Sequence, residues 1–71
     1  MNWKVEKDGL TLTYSKGSLK VVRYQYLWDR RGNRYDVVRK EGDAERVVEK
    51  GFTARLDIKK LLPSVERNWA D

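Results

Sequence analysis

Apolar and polar residues alternate along most of the chain, and the period then changes near its end. Leu10, Leu12 and Tyr14 recur at a spacing of two, which is the pattern of a half-buried strand. Asp8-Gly9 separates them from Trp3-Lys4-Val5, and Asp-Gly between alternating segments predicts a hairpin. Ser15-Lys16-Gly17-Ser18 reads as the next turn. Residues 19–28 are rich in β-branched and aromatic types and form the longest predicted strand. Residues 29–33, Asp-Arg-Arg-Gly-Asn, close it, and Arg34 to Lys40 returns antiparallel. Glu41-Gly42-Asp43-Ala44 predicts another turn, followed by a strand over 45–56 that breaks near Gly51. Ile58, Leu61, Leu62, Val65 and Trp69 then fall on one helical stripe, with Asp57 placed to cap it. Pro63 lies inside that stripe and predicts a kink or a break, because proline removes a backbone donor and clashes with the preceding turn.

These elements predict an α+β fold: an antiparallel β-sheet of four or five strands in a β-meander, followed by a C-terminal amphipathic helix, in a single domain over residues 1–71. One helix covers only one face of such a sheet. The other is solvated, pairs with a second copy, or binds a ligand.

Composition narrows the chemistry. The chain has no cysteine and no histidine, so thiolate metal sites, disulfides and the usual general base near neutral pH are excluded. Catalysis, cofactors, metals and a small-molecule substrate are not expected. The carboxylate pairs are Glu41 with Asp43 and Glu45 with Glu49; Glu41, Asp43 and Glu45 lie in or beside a turn, and no polar group converges on them in sequence. Lys16-Gly17-Ser18 is not a phosphate loop, because Leu12 stands where the upstream glycine belongs. No apolar run approaches the ~20 residues of a membrane span, and no signal-peptide pattern opens the chain, so the expected location is cytoplasmic. A domain of this size without such staples often gains stability by pairing with a second copy.

Charge is unevenly placed. Of the 16 lysines and arginines, eight fall between Lys16 and Lys40: Lys16, Lys20, Arg23, Arg30, Arg31, Arg34, Arg39 and Lys40. Only Asp29 and Asp36 oppose them there, and Tyr24, Tyr26, Trp28 and Tyr35 lie among them. Basic side chains suit phosphates, and flat rings suit unstacked bases. Strand 19–28 splits into a row Leu19, Val21, Arg23, Gln25, Leu27 and a row Lys20, Val22, Tyr24, Tyr26, Trp28. The second row is either a stacking platform or the core face under the helix, and in so small a protein the core has first claim on Tyr24 and Tyr26. Sequence alone does not fix which row the helix covers.

Several pieces, in order, resemble the small bacterial relatives of the transcriptional coactivator positive cofactor four. They are Ser15-Lys16-Gly17, Lys20, Trp28-Asp29-Arg30, Arg34-Tyr35-Asp36-Val37, and Lys50-Gly51-Phe52-Thr53 leading into the final helix. The resemblance spans roughly residues 12–65. It implies a curved four-stranded antiparallel sheet followed by a helix, a homodimer, and binding of single-stranded DNA. It also implies contacts from Lys16, Lys20, Trp28, Arg30, Arg34, Tyr35 and Lys50, to which the basic segment adds Arg23, Arg31 and Arg39. The chain differs from the family pattern at Pro63, at the later helix start by Asp57, and at the Asp8-Gly9 hairpin.

The expected function is therefore a non-enzymatic nucleic-acid-binding module, most directly for single strands. Two alternatives fit the same residues. One is duplex binding through the major groove, as in the three-strand-and-helix arm-binding domains of some phage integrases. The other is a small interaction or inhibitor module docking on an acidic protein.

Overall fold

The structure is a computed structural model and describes residues 3–70. Five strands form one antiparallel meander in chain order: β1 (Lys4–Asp8), β2 (Thr11–Lys16), β3 (Leu19–Asp29), β4 (Gly32–Glu41) and β5 (Ala44–Thr53). Each connection between strands is two residues long, which is the shortest hairpin and favours turns whose twist matches that of the sheet. A 3₁₀ turn (Arg55–Asp57) leads into the one α-helix of the described residues, α1 (Ile58–Trp69). This helix is too short to cross a membrane.

The helix lies across the row that contains Leu19 and Val21. Val21 stands opposite Tyr14 on β2 and Val37 on β4, so these three share the covered face. Ile58, Leu62 and Val65 close over them, and Tyr14, Leu19 and Tyr35 complete the core. Val21, Val37 and Val65 are the side chains removed most completely from water. Each such burial stabilises the fold by about 1.5–3 kcal/mol. Trp3, Leu12, Val48, Leu61 and Trp69 pack around the margin.

The strand alternation held, with sharper turns than expected. Ser15 and Lys16 belong to β2, and β5 runs unbroken through Gly51 to Thr53. The irregularity in β5 falls earlier: Val37 pairs with Glu49 but Val38 with Val47, leaving Val48 as a bulged residue. Gly51 keeps the strand intact because the Tyr35 ring packs over it, and a Cβ there would lie 2.8 Å from the Tyr35 hydroxyl oxygen. A second irregularity interrupts β3 between Tyr24 and Trp28.

The helix is continuous through Pro63 rather than broken. Pro63 is exposed while Leu62 and Val65 are buried, so its ring meets solvent and apolar burial on the opposite side holds the segment helical. Asp57 makes no side-chain capping bond. Its backbone is already helical (φ −92°, ψ −4°), because its amide donates to the Ala54 carbonyl at 3.0 Å in the preceding turn. A capping side chain needs extended backbone at that residue.

Gly32 is the tightest backbone position. Its φ is +119°, and a Cβ there would sit 2.5 Å from the carbonyl carbon of Thr53. Replacing Gly32 with alanine is expected to destabilise the protein by about 1–3 kcal/mol from backbone conformation alone, with the clash adding to it. A urea midpoint unchanged in the G32A variant would show that β4 and the end of β5 do not approach in this way.

Candidate nucleic-acid interface

Because α1 covers the Leu19–Val21–Arg23 row, the other row of β3 faces outward up to the irregularity that follows Tyr24; beyond it Trp28 stands opposite Asn33, on the side of Tyr35. The expectation that the core takes Tyr24 and Tyr26 is overturned by this placement. Tyr24 is half-buried by its neighbours, Tyr26 is 54% exposed and Trp28 is 71% exposed. Tyr24 and Tyr26 meet edge to face, with centroids 6.1 Å apart and planes at 88°.

Register carries this row across the sheet. Tyr24 stands opposite Arg34 on β4, and Arg34 opposite Phe52 on β5. The result is a ladder of ring, cation and ring on adjacent strands, which lie ~4.8 Å apart. The Arg34 guanidinium carbon is 5.9 Å from the Tyr24 ring centroid, and that of Arg31 is 4.2 Å from the Phe52 centroid. Lys50 lies opposite Asp36 on the same face. Arg31, Arg34, Lys50 and Phe52 border an open groove of about 470 Å³. Trp28, Asp29, Arg30 and Arg31 border a neighbouring hollow at the β3–β4 turn.

Two carboxylates temper the charge of this patch. Asp29 accepts from the Arg31 amide at 2.7 Å, from Nε at 3.0 Å and from Nη2 at 2.7 Å. These bonds hold the Asp29 carboxyl below its ordinary range and raise the Arg31 guanidinium. Asp36 is buried beneath the ladder, accepting from the Tyr24 hydroxyl at 3.3 Å and from Arg34 at 3.4 Å. Burial, followed by the Asp36 charge, pushes the Tyr24 phenol up. Arg30 and Lys50 are exposed and have no ion-pair partner among the described residues.

The other expected contacts are distributed differently. Lys20 is on the open face and pairs with Glu45 at 3.3 Å. Lys16 is on the helix side and donates to the Glu66 carboxylate. Arg39 shares the side of Leu19 and Val37 and is half-buried. Arg23 is 3% exposed under the helix, where one nitrogen donates to the Asn33 side chain. It therefore cannot reach a strand on the opposite face, since the alternation that exposes Tyr24 buries its neighbour. Tyr35 is likewise a core residue rather than a stacking surface. Its hydroxyl donates to Glu49 at 2.9 Å, and Trp69 Nε1 donates to the other oxygen of Glu49 at 3.1 Å, so this carboxylate ties the sheet to the end of the helix. Phe52 was missing from the sequence-based set. Its place beside Arg34 follows from the β4–β5 register, which a single sequence does not display.

No protein-family model, curated protein or solved structure matches the chain.

Burial, then the hydrogen bond to Glu49, pushes the Tyr35 phenol from 10.0 to about 12. The folded value lies above the unfolded one, so the stabilisation is complete below pH 10.0 and is lost as pH rises towards about 12. Absorbance titration of phenolate should show one late step near pH 12 in the wild type that is missing in Tyr35→Phe. Persistence of that step in the variant would assign it elsewhere.

Proposed function

We propose that this protein is a non-enzymatic module that binds single-stranded nucleic acid, DNA in the first instance, across the open face of its sheet. The observation that carries the reading is the ladder of Tyr24, Arg34 and Phe52 on a face that no element among the described residues covers. Bases stack on Tyr26 and Phe52, each ring contributing ~1–3 kcal/mol, and Trp28, exposed at the end of the sheet beyond the β3 irregularity, offers a further ring to a strand that runs past that end. Arg30, Arg31, Arg34 and Lys50 meet the phosphates, and this part of the affinity falls with salt. Such a surface has π-faces and cations but no set of base-edge readers, so it tolerates sequence.

The single-strand mode is favoured over duplex binding by the geometry of the rings. Tyr26 and Trp28 stand exposed, and stacking on them requires bases that are not already paired and stacked in a duplex. An acidic protein partner would use the cations but has no comparable use for three exposed or half-exposed rings beside them. Membership in the positive-cofactor-four-like family is part of the same proposal. The order of sheet then helix supports it, while the β1–β2 hairpin makes five strands where the resemblance implies four. The implied homodimer and cytoplasmic location stand with it as proposals.

Tryptophan fluorescence provides the test, because Trp3 and Trp69 are half-buried on the helix side whereas Trp28 is exposed. Oligo(dT) at low salt should quench the wild type saturably and quench Trp28→Ala far less. Phe52→Ala and Tyr26→Ala should each weaken binding by ~1–3 kcal/mol. Lys50→Ala should reduce the slope of log affinity against log salt by ~0.7. The proposal would be falsified if neither single strands nor duplex bound at low salt. Duplex preferred over oligo(dT) would move the reading to the major-groove mode.

A further inference from the structure

We infer that the cleft on the covered side of the sheet, between β2 and the start of α1, is a second anion site that takes a phosphate monoester bearing an apolar group. This is independent of the strand-binding reading, since it uses other residues on the opposite face. The primary observation is Arg23. It is 3% exposed, and although one nitrogen donates to Asn33, Nε and Nη1 have no hydrogen-bond partner among the described residues. A buried guanidinium with two unsatisfied donors is among the costliest groups a fold can contain, and an anion is the natural complement.

The second observation is what surrounds it. Arg23, Arg55 and Lys59 all line a cleft of about 460 Å³, and no carboxylate of the described residues lines it with them. Arg55 and Lys59 are exposed and have no ion-pair partner among the described residues. They lie four residues apart across the junction of the 3₁₀ turn and α1, a spacing that places two side chains on one side of a helical segment. Three cations without a counter-charge suit a dianion better than a monoanionic carboxylate, and a guanidinium offers paired donors to phosphate oxygens.

The remaining walls are Leu12, Tyr14, Leu56 and Ile58. Leu56 is 88% exposed at the rim, an apolar surface that an organic group on the phosphate would cover. The ligand is thus an ester rather than inorganic phosphate alone, and its source is either a small phosphorylated metabolite or the phosphorylated end of a nucleic-acid strand.

Phenyl phosphate titrated into the isotope-labelled wild-type protein at neutral pH, followed by NMR, tests the site. The Arg23 Nε–H resonance and the amides of Leu12, Leu56 and Lys59 should shift saturably. The double variant Arg55→Gln, Lys59→Gln alters only exposed side chains, so its spectrum elsewhere reports an intact fold. It should bind phenyl phosphate ~tenfold or more weakly, as expected for loss of two charge-assisted contacts. Linear, unsaturable shifts, or equal affinity in the double variant, would overturn the site. Benzoate binding as tightly as phenyl phosphate would overturn the phosphate assignment. In a parallel arm, oligo(dT) with a 5′-phosphate that moves the Arg23 resonance, when the 5′-hydroxyl form does not, would support a strand end as the source. Response to phenyl phosphate alone would support a small metabolite.

Discussion

A five-stranded sheet with one helix can hide one face only, and everything else in this molecule follows from which face it hides. Side chains alternate along β3, so burial of Val21 and exposure of Tyr24 are a single event rather than two choices. The seam of Ile58, Leu62 and Val65 against Tyr14, Val21 and Val37 makes that choice. It draws in Arg23 and Tyr35 from the covered side and leaves Tyr24, Tyr26, Arg34 and Phe52 outside. Had the helix covered the other row, Arg34 would be a buried cation and Arg23 a surface one.

The sheet carries its irregularities where its two ends do different things. The break in pairing between Tyr24 and Trp28 separates the ordered middle of β3 from the exposed tip bearing Trp28 and Arg30. Asn33 stitches this region: its side-chain amide donates to the Gln25 carbonyl at 3.1 Å while its oxygen accepts from Arg23. The bulge at Val48 does the corresponding work in β5, keeping Glu49 on the covered side, where Tyr35 and Trp69 both reach it. Each bulge therefore adjusts which face a side chain meets without ending the strand.

Most of the fold was legible because its signals are local. Turn glycines, period-two alternation and the change to a helical stripe all lie within short windows, and the α+β meander with a terminal helix follows from them. Pro63 misled because propensity counts the lost donor, whereas the structure keeps the helix by burying Leu62 and Val65 on its other side. The site was legible in part. The cations at the β3–β4 turn and Lys50 stand where a basic surface was expected. Arg23, Tyr35 and Lys16 do not, because the two rows of β3 are similarly apolar and each contains one cation, so nothing in the row itself marks it for burial. Phe52 and the Glu49 link depend on register across β4 and β5, which a bulge sets and a single sequence does not reveal.

Arg31 has its guanidinium bonded to Asp29 on one side and set against Phe52 on the other. A free arginine forfeits much rotational freedom when it grips a ligand, whereas this one has given up that freedom before any ligand arrives. Its partner carboxylate also cancels its charge at long range, so Arg31 contributes little to drawing a polyanion in from solution. Under the proposed function, Arg30 and Lys50, which have no ion-pair partner among the described residues, would act at a distance, and Arg31 on contact. Under the same proposal, attraction and orientation fall to different side chains, and the speed of encounter could change without altering how a bound strand is held.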